Sequence, residues 1–569
     1  MDYRDNSTRA VAYALIFAAV ALTLLPFLGV TPFHTKGEPR EAVVAMSMLN
    51  TGNWILPLSN GDVIPYKPPM LAWCIALVSA IFGGEVTEYT SRLPSALALI
   101  IMVLAGYGFW RKRAGEGVAV VGSIITFTCF EVYRAGMACR VDMLLTMFMV
   151  LAMYSLYRWA IDGGLRGMPR GAVVLMSCAV LTKGPVGVIL PCLVTWLLVA
   201  LCGHRLWRAT WKLLLSALLA LVVPALWYVA AWERGGAEFL RLAMEENFGR
   251  MMGTMSYESH VNPWWYNLLT LLGGIAPYTL VPVLALLMTL VPDVRRAMRG
   301  AIFRWCTVAP ARFFMFVAPL TVLIFYCFPA SKRSVYLLPM YPFMAMQLAM
   351  LSLWLARRCA NAVKVYTACI CLLAMGAFAL YVCMHIPSFT GRFTPELSIK
   401  TMMTIGGLMA PATWWQWALA GLSALVALVV FGRQFRDSGK ASVIGGCVAL
   451  ITLYWAFGGV YQPAVVTAKS DKPIAAQIAA IKPQGTVYAF VGDPLMRLFT
   501  IDFYLGDRVV PFSMETSPAR GYLLAGEDDG AWFAEHYKGR VDLRQVRTWT
   551  KPSNDHRQPL TLWEYTIIE

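Results

Sequence analysis

The chain has 569 residues, of which 58% are hydrophobic and only 14% charged, and its formal net charge is +16. Soluble proteins carry about 25% charged residues, so the composition excludes a soluble enzyme and indicates a polytopic α-helical membrane protein. The basic excess lies in short loops between apolar runs, which fits the positive-inside bias rather than a nucleic-acid partner.

The apolar runs lie near 10–31, 93–110, 117–133, 143–159, 171–183, 186–202, 213–232, 264–291, 313–329, 335–355, 365–384, 413–431 and 441–462. They predict thirteen spans, each close to the ~20 residues a crossing needs, apart from a short pair around 171–202. The first run, Ala10 to Val30, is too long for a signal h-region and reads as a retained helix. Residues 68–84 form a further apolar run that opens with two prolines. Loop charge decides its placement. If 68–84 does not cross and the N-terminus is cytoplasmic, the clusters Arg111-Lys112-Arg113, Arg205/Arg208/Lys212, Arg295/Arg296/Arg299 and Arg433/Arg436/Lys440 all fall inside; if it crosses, all fall outside, against the bias.

The opposite face mixes acids with bases, as a site would. Its loops include 32–92, 134–142, 233–263, 330–334 and 385–412. The Cys residues, Cys178 and Cys371 among them, show neither disulfide nor metal spacing and read as small buried hydrophobes. The chain divides into a membrane domain, 1–465, and a small α/β domain, 466–569, on the outer face. Strands are expected at 486–491, 508–512, 521–525 and 561–568, and helices at 493–505 and 531–537.

Within the first outer loop, Glu38 to Leu49 has the apolar spacing of an amphipathic helix, and Pro39 suits its first turn. Glu38 and Glu41 fall where the helix dipole favours negative charge; Glu41 reads chiefly as an ordinary helix-start acid. Lys67, flanked by Tyr66 and Pro68-Pro69, is placed to meet a lipid phosphate. Asp142 opens a span, where an acid needs a partner. Lys183 sits between two short helical segments, and Lys332 and Tyr336 occupy another outer corner.

Gly37-Glu38-Pro39-Arg40-Glu41-Ala42, Thr51-Gly52-Asn53-Trp54-Ile55-Leu56-Pro57 and Tyr66-Lys67-Pro68-Pro69 together resemble the first periplasmic loop of the aminoarabinose transferase and protein mannosyltransferase superfamily. Asp142, Leu181-Thr182-Lys183-Gly184, Pro263-Trp264-Trp265-Tyr266, and Ser331-Lys332 with Tyr336 extend the likeness in the family's order. The resemblance implies a GT-C glycosyltransferase of the bacterial inner membrane. Its N-terminus would be cytoplasmic and its C-terminal domain periplasmic. It would take a sugar from polyprenyl (undecaprenyl) phosphate, with inversion, to an outer-face acceptor. Lipid A receiving aminoarabinose comes first, and a protein or another surface glycan close behind. The resemblance implies no firm cofactor and leaves a divalent metal open.

Arg40, Lys67, Lys183 and Lys332 are then the candidates to stabilise the departing phosphate. Glu38 or Asp142 is the candidate base. Tyr66, Arg140, Arg250, His260 and Tyr336 are expected to line the substrate cleft. The family commonly has Asp where Gly37 stands, and often an acid where Tyr66 stands. A phosphate acceptor needs less help from a base than a hydroxyl does, so the acceptor stays open. The competing class is a transporter or flippase for lipid-linked sugars.

Overall fold

A segment crossing hydrocarbon must satisfy its backbone N–H and C=O groups internally, and an apolar helix does so. The computed structural model describes residues 3–249, 252, 260–307, 309–390, 399–493 and 496–568. Arg250 therefore lies outside the described residues. The first ten helices are α1 (Tyr3–Leu24), α2 (Gly37–Thr51), α3 (Met70–Ile81), α4 (Glu88–Ala114), α5 (Glu116–Thr128), α6 (Phe130–Gly136), α7 (Val141–Tyr157), α8 (Arg170–Lys183), α9 (Val186–Leu201) and α10 (Leu206–Met244).

Among the described residues, nine helices are long and apolar enough to cross a membrane, or ten if the bent pair α5–α6 is one span. The other apolar runs of the sequence form shorter pieces. α8 and α9 have 14 and 16 residues, and 264–291 divides into Tyr266–Gly274 and Leu280–Met288. The break between α8 and α9 falls at Gly184, whose φ of +87° a side chain would resist. α3 has 12 residues, about 18 Å of helix against a hydrocarbon core of about 30 Å. It is too short to cross such a core upright.

α2 and α3 pack together, and α3 leans on α4. The Thr87 side chain accepts the Thr90 N–H, and the Thr90 side chain accepts the Thr87 N–H, so a capping box opens α4. The buried core runs through α4, α5, α7 and Tyr341–Arg358.

Beyond the last span lies a five-stranded sheet: β1 (Val487–Phe490), β2 (Val509–Pro511), β3 (Arg520–Gly526), β4 (Val541–Pro552) and β5 (Pro559–Ile567). The order is β2-β1-β3-β5-β4; β1 is parallel to β2 and β3, and β5 antiparallel to β3 and β4. Four of these strands match the sequence expectation, and β4 is additional. The helices are Phe499–Leu505 and Glu527–His536, with Lys472–Ile481 before the sheet.

This unit holds the loop between α1 and α4 at several points. The Phe33 N–H donates to the Tyr504 hydroxyl (2.8 Å), and the Ser470 hydroxyl donates to the Phe33 carbonyl (2.6 Å). The Asn60 N–H donates to Asp507 (3.0 Å), and Lys472 pairs with Glu88 at 2.7 Å. The loop that carries the candidate residues is thus anchored on one side by α4 and on the other by the sheet unit.

Candidate active site

The start of α2 holds two carboxylates, about one turn apart, in different surroundings. Glu38 is buried, only 5% exposed. One of its oxygens accepts from Arg92 Nε (2.9 Å) and the Cys139 N–H (3.0 Å), the other from Arg92 Nη2 (3.3 Å). Arg92 spends its remaining donors on the Leu28 carbonyl (2.7 Å) and the Thr31 carbonyl (2.6 Å). It also lies over the Phe33 ring, 4.9 Å from the centroid. A buried ion pair survives when hydrogen bonds satisfy its spare donors and acceptors, and this one ties α2, α4 and the loop before α2 together. Despite its burial, Arg92 holds the Glu38 carboxyl below the usual carboxylate range.

Glu41, one turn further on, faces the charged cluster instead. It accepts from Lys67 Nζ and lies 3.4 Å from Arg40 Nη2. Arg40 Nη1 donates to the Tyr66 hydroxyl at 3.0 Å. Burial opposes charge on Glu41, yet Lys67 and then Arg40 bring its carboxyl down to about 2. Lys67 moves the other way from most paired lysines: burial, reinforced by Arg40, outweighs the attraction of Glu41 and lowers its ammonium to about 8. Glu246, past the end of α10, is a further acid within electrostatic reach of Arg40 and Lys67.

Gly37 explains its own lack of a side chain. A Cβ there would overlap the Arg140 guanidinium. The space that an acid at position 37 would take is filled by a cation. Arg140 lies within reach of Arg333, Asp142, Arg40 and Glu41, so it joins the α2 cluster to a second one at the start of α7. There Lys183 Nζ donates to Asp142 at 2.5 Å and stands over the Tyr336 ring, 4.4 Å from its centroid. Tyr336 packs on Tyr326, with ring centroids 5.2 Å apart. Asn247 fits against Gly184, which brings the end of α10 over the α8–α9 break.

The structure thus brings together Arg40, Tyr66, Lys67, Arg140, Asp142, Lys183 and Tyr336. It sets three sequence candidates apart. Glu38 is enclosed with Arg92, so both its oxygens are occupied. Lys332 is 5% exposed and turns inward, donating to the Asn262 carbonyl (3.0 Å) and the Pro329 carbonyl (2.6 Å). Its neighbour Arg333 reaches Asp142 and Arg140 in its place. His260 is exposed, and its carbonyl accepts the Lys332 N–H (3.0 Å), beside the Val261–Ser331 bridge. The sequence reading underweighted Glu41 and did not single out Arg333. The i+4 spacing of Gly37 and Glu41, which puts them on one helix face, was the available signal for Glu41. Among the described residues, no group of three His, Cys, Asp or Glu side chains is arranged to hold a metal ion.

Residues 66–228 match a family model described as dolichyl-phosphate-mannose-protein mannosyltransferase. An undecaprenyl phosphate-alpha-4-amino-4-deoxy-L-arabinose arabinosyl transferase of Erwinia tasmaniensis is 25% identical over 97% of this chain and 99% of its own length. A protein of the same description from Pseudomonas fluorescens is 26% identical over 73% of this chain and 72% of its own. The crystal structure of ArnT from Cupriavidus metallidurans bound to undecaprenyl phosphate has the same fold. It superposes with a TM-score of 0.69 at 18% identity, covering 96% of this chain and 97% of that one. The chain is thus similar along nearly its whole length to aminoarabinose transferases, shares its fold with ArnT, and over residues 66–228 is similar to the mannosyltransferase family.

Proposed function

We propose that this protein is an inner-membrane glycosyltransferase that moves aminoarabinose from undecaprenyl phosphate to a phosphate group of lipid A. The relatives named above support the donor and the sugar. The observation that carries the acceptor is the state of the carboxylates. Glu38 is closed off by Arg92, Asp142 is held by Lys183, and Glu41 is held near 2 by Lys67 and Arg40. An effective general base has a pKa near the working pH and a free oxygen to take the proton; Glu41 fails the first condition, and Glu38 and Asp142 are each engaged by a cation. Arg40, Lys67, Arg140, Lys183 and Arg333 meanwhile outnumber the acids Glu41, Asp142 and Glu246. Such a surplus suits two phosphates, one leaving and one attacking.

In the step itself, an oxygen of the acceptor phosphate attacks the anomeric carbon. The bond from that carbon to the donor phosphate breaks, and undecaprenyl phosphate leaves with the electron pair. No proton need be removed from an ionised phosphate, so the step runs without a base. Lys67 and Arg40 stabilise the charge that grows on the leaving phosphate, and Arg140, in the space beside Gly37, is placed to neutralise the attacking one. Lys183 holds Asp142 in an ion pair at the edge of the cluster.

The cluster faces the periplasm in this reading. The N-terminus is cytoplasmic, and the α/β unit that begins near residue 466 braces the first loop from outside. A reporter inserted beside Lys112 should read as cytoplasmic, and an exported reading there would invert the topology.

The test of function is reconstitution in liposomes with lipid-linked donor and lipid A, intact or stripped of its phosphates. Undecaprenyl phosphate should be released only with the intact acceptor, and the product should be a glycosyl phosphate. Equal transfer to the stripped acceptor would move the acceptor to a hydroxyl. Passage of uncleaved donor across the bilayer would replace the enzyme with a flippase.

A further inference from the structure

A second concentration of positive charge lies at the other end of the same helices. From Asp142 to Arg158, α7 and its C-cap rise about 24 Å at 1.5 Å per residue, so Arg158 is near the opposite face of the membrane from the Lys67 cluster. There Arg111 and Lys112, in the last turn of α4, and Arg158 line a cavity of about 530 Å³. Tyr13, Tyr154 and Ser155 complete its polar wall, and the Tyr13 hydroxyl lies against Gly108 on the α4 side.

Positive-inside loops explain basic residues in water, but not these three converging on one concavity. Among the described residues, no Asp or Glu lines the cavity. The neighbouring acids are engaged elsewhere, Asp162 by Arg113 and Glu116 by the Tyr107 hydroxyl. Arg111 Nε is buried with no hydrogen-bond partner, an unfilled donor next to two further cations. The wall is firmly held: Tyr154 stacks on Phe109 at 4.3 Å and accepts the Trp110 indole N–H at 3.0 Å. The flanking helices α1 and α8 expose Val11, Leu15 and Val174, so the surroundings of the cavity are apolar enough for acyl chains.

We propose that this cavity binds the phosphate headgroup of an anionic membrane lipid, in the leaflet opposite the one that supplies the sugar donor. Arg111, Lys112 and Arg158 neutralise the phosphate, and the hydroxyls of Tyr13 and Ser155 donate to its oxygens. The lipid's chains lie along α1 and α8. Basic pockets between spanning helices take anionic headgroups in this way, and bound lipid stabilises the folded chain by mass action.

The full-length protein is reconstituted in phosphatidylcholine vesicles, with or without phosphatidylglycerol, and its thermal unfolding is followed. Phosphatidylglycerol should raise the Tm of the wild type by several degrees. The triple variant Arg111→Gln/Lys112→Gln/Arg158→Gln should lose that rise. Ser155→Leu keeps every cation but fills the cavity, and should lose it too. An equal rise in the wild type and Ser155→Leu would overturn the proposal, because bulk surface charge would account for it. No rise in the wild type would also overturn it. The same rise from inorganic phosphate in phosphatidylcholine alone would make the cavity a site for a free anion and remove the lipid.

Discussion

Glu38 and Glu41 stand about one turn apart near the start of α2, share a helix dipole and have the same side chain, yet they have opposite assignments. Glu38 meets a guanidinium from α4 in a buried, fully bonded pair. Glu41 meets an ammonium and a guanidinium from its own loop in a cluster with side chains still partly exposed. The first pair has no unfilled acceptor and no room, so it serves to set the geometry of the loop. The second pair can be opened by an arriving phosphate, which would compete with Glu41 for Lys67. Charge beside a membrane is therefore not by itself a mark of catalysis; what separates the two is whether a ligand can replace the partner.

The largest effect should come from the open pair. Lys67→Ala removes the ammonium proposed to meet the leaving phosphate and should lower kcat about 100- to 1000-fold, the scale for losing one well-placed stabiliser of transition-state charge. Expression and membrane insertion should be unchanged. Near-normal turnover would take Lys67 out of the donor site. The closed pair should behave differently. Glu38→Gln keeps the shape but leaves Arg92 charged and unpaired in the interior, a change that costs about 3–5 kcal/mol in comparable buried pairs. Less folded protein and a lower Tm in detergent should result, with turnover per folded molecule largely kept. A variant of unchanged Tm and lost turnover would return Glu38 to the catalytic role that the sequence suggested.

The sequence made the first loop, its helix and the cation-rich cluster legible because each rests on local pattern: apolar spacing, proline placement and loop charge. It could not separate Glu38 from Glu41, because the difference is made by Arg92, which lies 54 residues beyond Glu38 in the chain. It chose Lys332 over Arg333 for a related reason. Adjacent residues of extended chain point to opposite sides, and the bridge between Val261 and Ser331 sets which one turns inward. The apolar runs 171–183, 186–202 and 264–291 read as spans by hydropathy, which does not register where a helix breaks; the structure forms them as helices of 14, 16 and twice 9 residues. β4 escaped notice because its sequence, Val541-Asp542-Leu543-Arg544-Gln545, is an edge strand with much of its surface exposed. A search for apolar stretches passes over such a strand.

Gly37→Asp sharpens the comparison further, because it offers a third carboxylate to the same turn. Its Cβ cannot enter while Arg140 stays in place, so Arg140 must withdraw or pair with the new acid. Either outcome takes one cation from the acceptor phosphate. Transfer to phosphorylated lipid A should fall about tenfold, equivalent to ~1.4 kcal/mol of transition-state stabilisation. An increase in rate would mean that the site works better with a base, and hence that its acceptor is a hydroxyl.

The mildest perturbation is pH. Lys67 titrates near 8 in the free protein because burial outweighs its pairing with Glu41, and only its ammonium form can hold the donor phosphate. The sign follows directly. kcat/KM, which reports the free enzyme, should be level below that value and decline as pH rises through it, approaching about tenfold per pH unit once Lys67 is mostly neutral. Glu41 adds no acid limb near neutrality, since it stays ionised down to about 2. Lys67→Arg should abolish the alkaline decline, because arginine keeps its charge, even if the changed geometry lowers the plateau. A decline that persists unchanged in Lys67→Arg belongs to another group and would leave the cluster's phosphate site without its titrating member.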